Sequence, residues 1–238
     1  MIRQLFFVKN MPHEAAGLFS SFAEREKIPF RIVDLHRGEP FPTLKAQDAV
    51  IVFGGPDSAN DQTPKILQEL EAIRRILRDD ISYLGICLGL QLLVKAAGGK
   101  VLRSPVKETG FRDASGRWFE IEKTHEGIQD PLLAGVVDPA KVFQLHGETV
   151  ELTPSMQCLA FGRLCKNQIV KAGRRAYGIQ GHVELSEKMF EDWLKKDEDL
   201  REMDPKALRY DFAKIRQELE TSAETIFKNF LHLAGFKK

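Results

Sequence analysis

The segment LGICLGLQLL, residues 84–93, sets Cys87 between Gly85 and Gly89, at the end of an apolar run and the start of a helix-periodic one. Strand, tight glycine turn and helix make the layout of a nucleophile elbow, in which the turn lifts one side chain out of a sheet. The glycines let the backbone bend sharply and the helix pack close. A sulfur so placed sits at a helix N-terminus, where the dipole and free N–H groups favour a thiolate. The chemistry open to it is nucleophilic acyl transfer. Taken alone, the same residues also suit a buried core cysteine in a Gly-rich loop.

A cysteine nucleophile needs a base to take its proton and return it to the leaving group, and the base needs a third group to orient it. The segment RAYGIQGHVELS offers both in His182 and Glu184. Two residues apart on an extended strand, their side chains point the same way. That spacing suits an imidazole held by a carboxylate, and equally a solvated strand end.

The elements that must position these groups alternate. QLFFVKN reads as a buried strand, followed by a helix over HEAAGLFSSFAEREK with Ala15, Leu18, Phe19 and Phe22 on one face. PFRIVDL is a second strand and DAVIVFGG a third, running into Gly54-Gly55-Pro56. TPKILQELEAIRRILRD predicts a helix with Ile66, Leu67, Leu70, Ile73 and Leu77 on its apolar face. The fourth strand enters the elbow. Such alternation implies an α/β fold, a doubly wound, mostly parallel sheet with helices on both faces, whose sites lie outside the carboxyl ends of the strands. After Gly99 the runs KVLRSPV, RWFEIE, KVFQLHGETVEL, QCLAFG, NQIVKAG and RAYGIQG predict added antiparallel strands that return the chain to the elbow. A helix over LSEKMFEDWLKK follows. From Asp197 the apolar positions Leu208, Phe212, Ile215, Leu219, Ile226, Phe227 and Phe230 predict one long amphipathic helix or two. The expected organisation is one domain over 1–196 and a helical extension over 197–238, packed on the domain or serving as a partner or self-association face.

Three landmarks in order, Gly54-Gly55-Pro56, the elbow with Gln91 four residues after Cys87, and Gln180-Xaa-His182-Xaa-Glu184, resemble the class I, triad-type glutamine amidotransferases. A softer fourth, QLHGETVELTP, resembles that family's strand and His-Gly-Asp-like turn. The resemblance spans about Ile2 to Trp193 and is to a stand-alone, GMP-synthase-like member with a flavodoxin-like sheet. It implies Cys87, His182 and Glu184 as the triad, with backbone N–H groups of Gly55 and Leu88 as the oxyanion hole. It further implies Gly54, Pro56, Gln91, His146 and Gly147 as substrate contacts, with Glu148 near the substrate ammonium. The implied reaction cleaves the γ-carboxamide of glutamine and releases ammonia for a separate synthase. The alternatives are a partner-independent γ-glutamyl peptidase and a catalytically silent regulatory or binding subunit. Where the family often has an aromatic residue and a proline around the histidine, this chain has Gly181 and Val183, which predicts a wider pocket floor.

Composition bounds the rest. The 238 residues are 43% hydrophobic, enough for one α/β domain, and the formal net charge is +1, which gives no basis for nucleic-acid or membrane binding. No apolar run approaches the ~20 residues of a membrane span. The apolar start is too short for a signal peptide. Three cysteines without a CxxC pair argue for a reducing cytoplasm. Cys158 and Cys165 read as core or surface thiols in strand-like runs. His13, His36, His125 and His232 lack paired-ligand spacing, so no metal is assigned, and no phosphate-binding glycine loop or other cofactor motif is present. The oligomeric expectation is a possible homodimer.

Overall fold

The computed structural model describes residues 3–12 and 16–236. His13 and Ala15 lie outside them, so the first helix is seen as α1, Gly17–Arg25, which buries Leu18, Phe19 and Phe22. The other early elements are β1 (Leu5–Lys9), β2 (Phe30–Asp34), β3 (Ala49–Val52), α2 (Pro64–Arg78), β4 (Ser82–Ile86) and α3 (Leu88–Ala96). Later come β5 (Lys100–Gly110), β6 (Glu120–Lys123), α4 (His125–Gln129), β7 (Ala140–Lys141), β8 (Gln144–Glu151), β9 (Met156–Gly162), β10 (Ile169–Ala172) and β11 (Ala176–Ile179). Three helices close the chain: α5 (Glu187–Lys196), α6 (Glu198–Arg201) and α7 (Pro205–Leu233).

The main sheet runs β2-β1-β3-β4-β11-β10-β9-β6-β7. Pairing is parallel from β2 through β11 and antiparallel beyond it. The RAYGIQG run is therefore the fifth parallel strand, not one of the antiparallel additions. Lying beside β4, it delivers the following residues to the elbow. Side chains alternate between two cores. Phe7, Ile51, Phe53, Leu84 and Ile179 face α1 and α7, while Val8, Val50, Val52 and Tyr83 face α2 and α3. Both faces of the parallel half are thus covered, as its continuous apolar strands require.

Local rules account for the helices. Thr63 caps α2, accepting from the Ile66 N–H, and Pro64 occupies its first turn. The inward stripe of α2 is Ile66, Leu70, Ile73 and Ile76, with Glu69 among them; Leu67 is 45% exposed. The predicted face was rotated by part of a turn because Leu67 and Leu77 flank the true stripe. Ser186 caps α5 and Asp204 caps α7. The tail is one short helix and one long one. Phe227 of α7 stacks on Phe19 with ring centroids 5.1 Å apart, and Phe212 stacks on Phe190 of α5 at 4.7 Å. Helix α7 therefore joins two separate apolar clusters.

Three other expectations change. KVFQLHGETVEL divides: β7 joins the main sheet, whereas β8 pairs with β5 as a separate antiparallel ribbon. His146 and Gly147 lie within continuous β8, not in a turn. Cys165 sits in the connection between β9 and β10, outside either strand. Among the described residues, no helix is long and apolar enough to cross a membrane.

Candidate active site

Four strand ends meet at one place: Asn10 after β1, Gly54 and Gly55 beyond β3, Cys87 after β4, and residues 180–184 after β11. Ligand sites of doubly wound sheets form at such carboxyl ends, where the strand order reverses. A cleft of about 730 Å³ opens there, lined by Gly55, Pro56, Cys87, Gln91, His146, Gly147, Glu148 and His182. The predicted Gly54 is buried behind this wall.

Cys87 holds φ 51° and ψ −106°, a backbone conformation that a side chain rarely adopts. The surroundings enforce it. Cys87 N–H donates to the Ile179 carbonyl at 2.8 Å, and α3 begins at the next residue. The flanking glycines make the bend possible. A Cβ on Gly89 would lie 2.2 Å from the Val52 carbonyl oxygen, and one on Gly85 would lie 2.3 Å from the Gly89 backbone. Only hydrogen at these two positions lets α3 press against β3 and β4. Backbone strain of this kind persists where the surroundings over-determine it, and it clusters at functional sites.

His182 and Glu184 are not on a strand; β11 ends at Ile179 and they occupy the turn beyond it. The turn still brings them together, with His182 Nδ1 2.8 Å from Glu184 Oε1 and both side chains buried. His182 N–H donates to the Phe143 carbonyl at 2.8 Å, and the indole of Trp193 meets the imidazole edge-on, centroids 4.8 Å apart. Burial alone would lower the His182 pKa. The Glu184 carboxylate and hydrogen bonding to Cys87 outweigh it, so the imidazole titrates well above its ordinary value. A buried imidazolium beside Cys87 is the counter-charge a thiolate requires.

The residues expected to supply an oxyanion hole adjoin. Gly55 abuts Leu88, whose Cδ2 would lie 3.2 Å from a Cβ at Gly55. The Leu88 N–H opens α3, with no carbonyl a turn behind it inside the helix. Gln91 is buried; its Nε2 lies 3.4 Å from Gln180 Oε1 and 3.5 Å from the Glu148 carbonyl. Glu148 Oε1 accepts from the Ser58 hydroxyl at 2.8 Å.

Gly181 does not widen the floor. A Cβ there would lie 2.3 Å from Val142 Cγ2 and 3.2 Å from the Phe143 carbonyl oxygen. The link between β7 and β8 fills the space a side chain would take, and the glycine permits that approach. Two further residues have placements that the sequence did not disclose. Gln180 points its Nε2 at Cys87 Sγ, 3.7 Å away, a role its place in a short motif does not reveal. Asn10 packs under Gly55, its Cβ 2.7 Å from where a Cβ on that glycine would stand. Its amide donates to the Phe53 carbonyl and to Glu69 Oε2, tying the Gly-Gly-Pro loop to α2. Burial raises the Glu69 pKa to about 7, against the hydrogen bond from Asn10 and the charge of Lys65.

Residues 23–198 match the family model described as glutamine amidotransferase class-I. Over 189 residues, 77% of this chain and 76% of the relative, the chain is 31% identical to a glutamine amidotransferase-like protein, YfeJ, of Salmonella typhimurium. It is 29% identical over 150 residues to a subunit of the glutamine-hydrolyzing GMP synthase of Methanococcus maripaludis, covering 62% of this chain and 70% of that one. Among solved structures, a glutamine amidotransferase of Thermotoga maritima superimposes with a TM-score of 0.85 at 23% identity, covering 96% of this chain and 97% of that one.

Proposed function

The chain belongs to the class I glutamine amidotransferases, and from that premise we propose that it hydrolyses the γ-carboxamide of glutamine through Cys87, His182 and Glu184. The observation that carries the assignment is the strained Cys87 at the head of α3, facing an imidazole that Glu184 holds at 2.8 Å.

In this reading the Cys87 thiolate attacks the γ-carbonyl carbon, and the electron pair moves to the carbonyl oxygen. The N–H groups of Gly55 and Leu88 receive that oxyanion; one such donor is worth about 3 kcal/mol. His182 gives its proton to the leaving nitrogen, the C–N bond breaks, and ammonia departs from a γ-glutamyl thioester. Neutral His182 then takes a proton from water, which attacks the thioester. Collapse releases glutamate and restores the thiolate and imidazolium. Glu184 orients the imidazole throughout and does not exchange protons. Gln91 holds the amino-acid end of the substrate, beside His146 and Gly147, with Pro56 shaping the rim and Gly54 supporting it from behind.

The ammonia goes to a separate synthase, in keeping with the likeness to the Methanococcus maripaludis GMP synthase chain. Free thiols at all three cysteines suit a reducing cytoplasm. One observation favours a second reading, hydrolysis of γ-glutamyl peptides without a partner. The cleft continues past the glutamine site to Lys107 and Asp197–Asp199. One assay separates the two: glutamate release from glutamine and from a γ-glutamyl dipeptide, with and without cell extract, for the native chain and for Cys87→Ala. Glutaminase activity that appears with extract and vanishes in Cys87→Ala supports the first reading. Dipeptide hydrolysis without extract supports the second. Full activity of Cys87→Ala on either substrate refutes both.

A further inference from the structure

At the cleft wall, where His146 borders the substrate, lies a second cluster of reactive side chains that takes no part in the proposed bond-making and proton-transfer steps. Glu108 on β5 and His146 on β8 are direct cross-strand partners, on the same face of the ribbon. Cys165 reaches the same point from the β9–β10 connection. One donor atom from each lies within 4.8 Å of the others, and all three residues are buried.

The hydrogen bonds around His146 define what its ring offers. Nδ1 lies 2.9 Å from the Glu148 carbonyl, which can only accept, so Nδ1 carries the proton. In the neutral imidazole this leaves a bare lone pair on Nε2. That nitrogen lies 3.0 Å from Glu108 Oε2 yet makes no aligned hydrogen bond. The same oxygen accepts from Gln168 Nε2 at 3.4 Å, and a proton or a metal ion can bridge it to the nitrogen lone pair. The buried thiol of Cys165 stands beside them, its Sγ 3.4 Å from the Thr149 hydroxyl. A proton on His146 can pair with Glu108 but leaves the sulfur outside the arrangement. A divalent metal engages all three.

We propose that Glu108, His146 and Cys165 form a binding site for a thiolate-accepting divalent transition metal of the zinc type. One carboxylate, one imidazole and one thiolate suit such an ion. Tetrahedral bonds of about 2.0–2.3 Å set donors roughly 3.3–3.6 Å apart, so the observed cluster closes with small side-chain rotations. Two anionic ligands neutralise the double positive charge, which satisfies a buried site. The Nδ1–H···O bond to Glu148 fixes the ring orientation from behind, as ligand imidazoles require. On binding, Cys165 loses its thiol proton to solvent, the sulfur and Nε2 each donate a lone pair to the metal, and no redox change occurs. The ion would tie the β9–β10 connection to the ribbon that carries the cleft residues His146 and Gly147.

The test uses the full chain and reads metal, not turnover. Cys87 and His182 are also soft donors, so the starting variant is Cys87→Ser with Cys158→Ser, which leaves Cys165 as the one thiol. Incubation with Zn²⁺ followed by gel filtration should retain one zinc per chain. Co²⁺ should give a near-ultraviolet thiolate-to-metal charge-transfer band and the visible absorption of a tetrahedral ion. Adding Cys165→Ser should abolish the band, and Glu108→Gln or His146→Asn should weaken Zn²⁺ binding at least ten-fold. If Cys165→Ser does not fold, the Co²⁺ spectrum of the starting variant decides alone. Absence of the thiolate band there, or Zn²⁺ binding unchanged in Glu108→Gln and His146→Asn, overturns the assignment.

Discussion

Glu69→Gln should flatten the fall of stability with pH. Glu69 is 1% exposed on the inner face of α2, and burial raises its pKa from 4.5 to about 7. The folded state therefore binds this proton more tightly than the unfolded chain does. Stability contributed by the protonated form is complete below about pH 4.5 and is lost as pH rises through about 7. Each pH unit of separation is worth about 1.36 kcal/mol, so ionisation of Glu69 costs the folded state about 3 kcal/mol at pH 8 relative to pH 4.5. Glutamine keeps an oxygen for the Asn10 amide, 3.2 Å away in the native chain, and has no charge to desolvate. Urea unfolding of both proteins from pH 4.5 to pH 8.5 measures the difference. The gap in unfolding free energy should move by about 3 kcal/mol in favour of the glutamine variant, most of it between pH 5 and pH 7.5. A gap that stays constant across the range would show that Glu69 does not titrate differently on folding, and the argument from its burial would fail.

Three further perturbations test the site and its supports. Gly89→Ala should destabilise the chain by about 1–3 kcal/mol or more and abolish activity, because the new methyl meets the Val52 carbonyl; a melting temperature equal to that of the native chain refutes the close-packing argument. Glu184→Gln should lower kcat for glutamine far more than it changes KM. It should also lower the His182 pKa, read by NMR titration, since the Glu184 charge is a main cause of its rise; a pure KM effect would mean that the carboxylate binds substrate. Phe227→Ala should cost about 3–5 kcal/mol in chemical unfolding, because its ring is fully buried and packs on Phe7, Phe19 and Phe22; a loss under 1 kcal/mol would show that α7 contributes little to that core.

What could be read from the chain beforehand follows the range of the forces involved. Cys87, Gly85 and Gly89 were legible because an elbow is a local object: a few consecutive residues specify strand, bend and helix. The alternation of β1 through α3 was legible because each element buries its own stripe. Longer-range placements were not. The run over 141–152 is uniformly strand-like, and nothing local reveals that it passes from the main sheet to a separate ribbon between Lys141 and Gln144. Leu67 and Leu77 fit a helical face as well as Ile76 does, and only the docked sheet selects among them. The acid at Glu69 looks like any solvated helix position until Asn10 arrives from 59 residues away.

Gly181 shows how a residue type can be read correctly for its freedom and wrongly for its purpose. A missing side chain beside the catalytic-type histidine suggests space, yet the space belongs to the chain itself, since Val142 and the Phe143 carbonyl occupy it. That close approach brings the Phe143 carbonyl to the His182 N–H at 2.8 Å, while Glu184 fixes the ring through Nδ1. His182 is then held at its backbone by the β7–β8 link and at its ring by Glu184 of its own turn. The same backbone link continues into β8, which carries His146 and Gly147 along the cleft. A bulky residue at 181 would push that link outward and disturb the His182 ring and the cleft wall together. Gly181 therefore adds no room to the cleft; its open end lies farther off, where Lys107 pairs with Asp199 and the chain turns from α5 into α6.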